Sequence, residues 1–336
     1  MDKRDKGEEQ IAVEIYKEKY RGQVREVVLG ATSADGGTRS HTLKVGGETA
    51  LPFLHFEGEI PNRPLIAMDV WDMVPADWPD NLKVFFADVY GDPAAWAKKC
   101  VDVYGADLVA LRFKSADPEI RDASAEDCVA VLKKVLAAVG VPLIVYGCGK
   151  GDKDNDIMGP LAEAAEGENL LLGVAEPENY RSLAGAAMAY KHSIIAQSPI
   201  DINIAKQLNI LISEMSNSLL DRIVIDPTVA ALGYGLEYSY SIMERIRIGS
   251  LSGDRILAMP TIGNVGNEVW SKKEATGSAG EHPGWGEQLE RSLAWEATTA
   301  MALLQAGMDI LVIRHPHAAA LLKQSIDGLM RDNNPL

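Results

Sequence analysis

A chain of 336 residues has room for two average domains, or for one (β/α)8 barrel of about 250 residues with an extension. Its 33 Lys and Arg against 48 Asp and Glu leave a net charge of −15, which repels a phosphate backbone and excludes nucleic acid as a partner. With 47% hydrophobic and 24% charged residues, the composition excludes a disordered chain and supplies a large core.

The N-terminus, MDKRDKGEEQIAVEIYKEKY, is charged from residue 2 and lacks the apolar region of a signal peptide. Apolar residues at helical spacing, Ile11, Ile15 and Tyr20, open the chain. Val24, Val27 and Val28 follow, then a turn at Asp35-Gly36-Gly37 and the run HTLKV. Residues 1–60 are therefore expected to form a helix and hairpin that pack on a larger domain, residues 61–336.

From residue 65 a unit repeats eight times: a short apolar run, a Gly/Pro/Asp-rich turn and a longer amphipathic segment. The runs are LIAMDV, DLVALRF, LIVYGC, LLLGVA, SIIAQS, RIVIDP, ILAMP and ILVIRHP. Apolar strands alternating with helices predict a parallel sheet covered on both faces. Eight units with no glycine fingerprint after the first favour an α/β fold of the (β/α)8 TIM-barrel class. Ser124 with Asp127, and Asp201, are helix-start signals. The polar, Gly-rich stretch from Gly263 to Gly286 reads as a long loop on the functional face. No run approaches the roughly 18 apolar residues of a membrane span, so a soluble, cytoplasmic protein is expected.

A barrel carries its site where the strands end. Those ends hold Asp69, Asp72, Arg112, Cys148–Lys153, Glu176, Ser198–Asn203, Asp226–Tyr234, Thr261–Asn267 and Arg314–His317, a polar mouth suited to a large polar ligand. YGCGKGDKD offers glycines to an anion but fits neither the P-loop nor the dinucleotide spacing, so it reads as a strand-to-helix turn. His315 and His317 have no metal-ligand partners in the sequence, and His315 reads as a hydrogen-bonding residue at the barrel rim. Cys148 lacks a neighbouring base and reads as a semi-buried thiol. Asp226-Pro227 stands open between two readings: a carboxylate that accepts from a heterocycle, and a turn former. Cys100, Cys128 and Cys148 are one short of a four-cysteine cluster and suit a reducing compartment.

Several strings resemble one family, the small subunit of the corrinoid iron–sulfur protein, called delta in the acetyl-CoA decarbonylase/synthase complex. They are ALPFLHFEGEIPNRPLIAMDVWD, YGCGKGDKD, ENYRSL, SPIDINIAKQLNI, DPTVAALGYGLEYSYSIMERIR, WEATTA and RHP, spread from about residue 45 to 330. The resemblance implies a TIM barrel in a heterodimer with a large subunit that carries the [4Fe-4S] cluster and a corrinoid-binding domain. A cobalamin at the interface would accept a methyl group from methyltetrahydrofolate, through a methyltransferase, and pass it to CO dehydrogenase/acetyl-CoA synthase in the reductive acetyl-CoA pathway. This chain would cap the corrinoid, with no catalytic residue and no metal ligand of its own. Among the strand-end residues Asn203, Asp226, Gly233, Tyr234, Asn264 and Arg314 are the expected corrin contacts, because amides, a guanidinium and close-packed glycine suit a propionamide-fringed ring. The fold also resembles pterin-binding methyltransferase barrels. Asp226 is similar to the aspartate that reads a pterin there, so the alternative is a barrel that itself binds the methylated pterin.

Overall fold

The computed structural model describes residues 16–331. Ten strands occur among them: β1 (Val27–Leu29), β2 (Leu43–Val45), β3 (Leu65–Trp71), β4 (Leu108–Arg112), β5 (Leu143–Tyr146), β6 (Leu171–Ala175), β7 (Ser193–Gln197), β8 (Ile223–Asp226), β9 (Ile262–Gly263) and β10 (Ile310–Ile313). The last eight pair in parallel in the order β8-β7-β6-β5-β4-β3-β10-β9. The ring closes where Ile225 bridges Thr261 and its N–H donates to the Pro260 carbonyl at 2.9 Å. This is the (β/α)8 barrel that the eight repeats predicted.

Period-two alternation splits each strand between two cores. Leu65, Ala67, Leu108, Ala110, Ile144, Leu171, Ile195, Val224, Ile262, Ile310 and Val312 point inward and pack together. Their neighbours Ile66, Met68, Val109, Leu111, Val145, Ile194 and Leu311 point outward into the core shared with the helices. Covering helices begin where the sequence placed their caps. Ser124 forms a reciprocal capping box with Asp127 ahead of helix Ala125–Ala138. Asp201 accepts from the N–H groups of Asn203 and Ile204 ahead of helix Ile202–Met215.

The N-terminal hairpin is present: β1 and β2 pair antiparallel, and Val27, Leu29 and Val45 join the inward-facing barrel cluster. Thus the hairpin covers the bottom of the barrel and leaves the strand ends free. Arg39 ties it down, with Nε 2.8 Å from Glu168 and with Nη1 and Nη2 donating to the carbonyls of Val139 and Leu136. The expected helix carrying Ile11 and Ile15 falls outside the described residues; Tyr16–Tyr20 are not helical.

Two expectations are corrected. ILAMP is not the seventh strand, which comes later, at Ile262–Gly263. Residues 256–260 are instead held as an irregular segment. The Ile256 carbonyl accepts from Asn209, and the Asp309 carboxylate takes the Thr261 N–H at 2.6 Å and its hydroxyl at 3.1 Å. Pro260, without an N–H, serves only as an acceptor for β8. The 263–286 stretch is not a structureless loop either. It contains helices Val265–Val269 and Lys273–Thr276 and a 3-10 turn at Pro283–Trp285, folded back on the barrel by Arg291, which donates to the Glu274 and Gly286 carbonyls. Among the described residues no helix is long and apolar enough to cross a membrane.

Candidate functional site

Continuing the inward alternation one step past the apolar layers reaches Asp69, Arg112, Tyr146, Gly173, Gln197, Asp226, Asn264 and Arg314. The top layer of the barrel interior is therefore polar. It floors a cavity of about 240 Å3 whose walls include Arg112, Lys114, Tyr146, Gln197, Asp226, Asn264 and Asn267. The two asparagines come from the segment after β9, Asn264 as the residue before the short helix and Asn267 within it.

One carboxylate organises the floor. Asp69 Oδ1 accepts from Arg112 Nε at 3.3 Å, and Oδ2 from Arg314 Nε at 2.9 Å and from the Trp71 indole at 3.1 Å. Burial pushes the Asp69 carboxyl up, but the Arg112 and Arg314 guanidiniums outweigh it and hold it below its ordinary value. Each guanidinium then reaches an asparagine: Arg112 Nη2 donates to Asn264 Oδ1 at 2.8 Å, and Arg314 Nη2 to Asn267 Oδ1 at 2.9 Å. Tyr146 lies under Arg112, its ring centroid 4.4 Å from the guanidinium carbon, and its buried hydroxyl has no hydrogen-bond partner.

Asp226 ends β8, beside β9 in the ring, and lines the same cavity. Its Oδ2 accepts from Gln197 Nε2 at 2.8 Å and its Oδ1 from the Thr228 N–H at 2.9 Å. Both sequence readings of this residue therefore have a physical counterpart: it shapes a turn and lines the cavity. Thr228 sits at φ 58°, in the left-handed region that a β-branched residue rarely adopts. Its hydroxyl anchors it to the Ser198 carbonyl at 2.6 Å. Burial pushes the Asp226 carboxyl up to about 6, against the lowering effect of Gln197, Thr228 and Arg112. Lys114, two residues beyond Arg112, donates to the Cys148 carbonyl at 3.0 Å, and burial lowers its ammonium pKa.

The glycine-rich YGCGKGDKD turn spends its first three glycine-loop N–H groups, of Gly147, Cys148 and Gly149, inside the protein. Asp154, from helix Gly151–Ala164, accepts from the N–H of Cys148 at 2.7 Å and of Gly149 at 3.0 Å. Gly147 is required there, because a Cβ would stand 2.2 Å from that carboxylate. His315 precedes helix Pro316–Leu329 and accepts the His317 N–H on Nδ1, but it is not a rim residue: it is fully buried between Phe85 and Trp270. All three thiols are buried; burial raises Cys128 and Cys148 to about 12.

The six expected contact residues fall in three places. Asp226 and Asn264 line the cavity. Arg314 lies beneath it, 3% exposed and committed to Asp69 and Asn267. Asn203, Gly233 and Tyr234 belong to an outer rim after β7 and β8, where Asn203 and Gly233 are exposed and Tyr234 donates its hydroxyl to Glu274 at 2.7 Å. Reading the ends alone missed Tyr146 and Gln197; counting every second residue from the inward apolar positions reaches both.

The fold defines a class, the (β/α)8 barrels, which carry their sites at the C-terminal ends of the strands. Among solved structures the chain is similar in fold to dihydropteroate synthases. One, from Coxiella burnetii in complex with pteroic acid, superposes with a TM-score of 0.55 at 12% identity, covering 91% of this chain and 98% of that one. Another, from Xanthomonas albilineans in complex with 7,8-dihydropteroate, gives 0.52 at 14% identity, covering 83% and 99%. In sequence, residues 26–328 match the CO dehydrogenase/acetyl-CoA synthase delta subunit family, and the chain belongs to it. It is 42% identical over 320 residues to the acetyl-CoA decarbonylase/synthase complex subunit delta of Archaeoglobus fulgidus, covering 94% of this chain and 70% of that protein. The subunit delta of Methanocaldococcus jannaschii is 37% identical over 310 residues, covering 91% and 74%.

Proposed function

We propose that this chain is a delta-type subunit of an acetyl-CoA decarbonylase/synthase assembly, and that its barrel mouth caps a corrinoid held by a larger iron–sulfur subunit. Residues 61–336 would form the capping domain and residues 1–60 its extension. The observation that carries the reading, beside family membership, is the division of the mouth into an outer rim and a small inner cavity. At about 240 Å3 the cavity is smaller than a drug-sized site and excludes a macrocycle, so a corrin would lie across the rim. The rim fits one. The Asn203 side chain is exposed, a Cβ on Gly233 would meet nothing closer than Trp295 at 3.8 Å, and the Tyr234 ring is 41% exposed with Lys272 at 5.1 Å. When bound, the corrinoid's cobalt supplies the methyl-accepting and methyl-donating chemistry. Asn203 would pair with a propionamide, Gly233 would admit the ring edge, Tyr234 would pack on its face, and the rim would exclude water. Expressed anaerobically with its large subunit, the pair should carry corrinoid absorption bands that the isolated chain lacks. Bands that are the same for the large subunit alone and for the pair, with the same reactivity towards oxidants, would refute capping.

The inner cavity favours a second, compatible reading, in which it takes the pterin ring of the methyl donor. A buried carboxylate, Asp226, lines this cavity together with the carboxamides of Asn264 and Asn267. Titration of the isolated chain with methyltetrahydrofolate tests it: binding that Asp226→Ala abolishes is expected, and no binding refutes it.

A further inference from the structure

Asp69 lies beneath the cavity and lines none of it, yet both asparagines on the cavity wall depend on it. An asparagine side chain has a carbonyl face and an amino face that are nearly equal in size, so packing alone does not choose between them. Here the choice is made from behind. Each guanidinium is anchored through Nε to one oxygen of Asp69, and its Nη2 donates to an asparagine Oδ1. A guanidinium donates and never accepts, so neither amide can present its NH2 group to it. With Oδ1 turned to the arginines, Nδ2 of Asn264 and of Asn267 points away from them, that of Asn264 on the side of the Tyr146 hydroxyl.

We propose that Asp69 is a positioning residue that sets the hydrogen-bond polarity of the mouth. Through Arg112 and Arg314 it turns two carboxamides so that they donate into the cavity, and it makes the site select a ligand edge bearing two acceptors, carbonyl oxygens or ring nitrogens. Asp226, which ends the neighbouring strand β8, has the reverse polarity: ionised, it only accepts and asks the ligand for N–H or NH2 groups. The buried hydroxyl of Tyr146, without a partner in the protein, adds an uncommitted group on the acceptor-seeking side. The ligand class is thus a flat ring system that carries acceptors for the two carboxamides and a neighbouring donor for Asp226. The inference rests on the second reading above for the identity of the probe, but not for the orientation of the amides.

The test compares pterin with 5-deazapterin, which replaces one ring-nitrogen acceptor by C–H, in fluorescence titrations of the full chain. Loss of one hydrogen bond in a desolvated site should cost the wild type about tenfold in affinity. Asp69→Asn should reduce that discrimination to less than about twofold, whereas a merely structural role would weaken both probes alike. A folded Asp69→Asn protein that keeps the tenfold preference overturns the proposal. Because Asp69→Asn leaves two buried guanidiniums without their counter-charge, Arg112→Gln is the second variant; it keeps the Asp69–Arg314 pair. In Arg112→Gln, side-chain 15N relaxation should show the Asn264 carboxamide mobile and that of Asn267 still rigid; an unchanged Asn264 signal overturns the relay. If the wild type binds neither probe, the pterin reading falls, and the relaxation of the two carboxamides alone decides the proposal.

Discussion

Replacing Asp226 by Asn should stabilise the protein at alkaline pH and not at acid pH. Burial raises this carboxyl from 3.8 in an unperturbed aspartate to about 6. A gap of about two units, at about 1.36 kcal/mol per unit, is about 3 kcal/mol of stability forfeited whenever the group is ionised in the fold. The sign follows from proton counting. Between pH 3.8 and about 6 the native state holds the proton more tightly than the unfolded chain, so stability falls as pH rises through that window. Below it the penalty is absent, and above it the penalty is complete. Asn removes the charge but accepts on one oxygen only, so one of the bonds from Gln197 and Thr228 is lost, at about 1 kcal/mol. The variant should therefore be about 2 kcal/mol more stable than wild type at pH 8 and about 1 kcal/mol less stable at pH 4. Urea unfolding of both proteins at both pH values gives the number. Glu48 and Glu296, raised to about 8 and about 7, titrate in both proteins and cancel in the difference. A variant no more stable than wild type at pH 8, or a difference that is the same at both pH values, would refute the reasoning.

Three further outcomes follow from other contacts. Native protein at pH 8 should react negligibly with a thiol reagent and release three equivalents in denaturant, because all three cysteines are buried and their thiols are raised; one rapid equivalent would contradict the burial of Cys148. Arg39→Met should lower stability by about 3–5 kcal/mol in urea unfolding, since Glu168 would be left buried beside two emptied carbonyls. Asp154→Ala strips the acceptor from the N–H groups of Cys148 and Gly149 and should cost about 1–3 kcal/mol, read as a lowered urea midpoint at pH 7.

How far the sequence carries the reader depends on the range of the interaction involved. The identity of seven of the eight barrel strands was legible because each is a local apolar run, and the caps at Ser124 and Asp201 were legible because each is completed within three residues. The seventh strand was misplaced because ILAMP is as apolar as a strand; what keeps it irregular is Asp309, 48 residues away from the Thr261 that it holds. The site lies further still from local pattern. Asp69 meets Arg112 across 43 residues and Arg314 across 245, so nothing near Arg314 in the chain announces that its charge is already spent inside the barrel. For that reason it entered the expected contact set as a surface guanidinium, whereas in the fold its reach toward any ligand passes through Asn267. Period-two parity does recover the membership of the layer, since the residues beyond Ala67, Ala110, Ile195, Val224 and Val312 are Asp69, Arg112, Gln197, Asp226 and Arg314. What parity cannot supply is polarity. Whether a carboxamide on that layer donates or accepts is decided by its neighbour across the barrel, and that neighbour is known only once the sheet has closed.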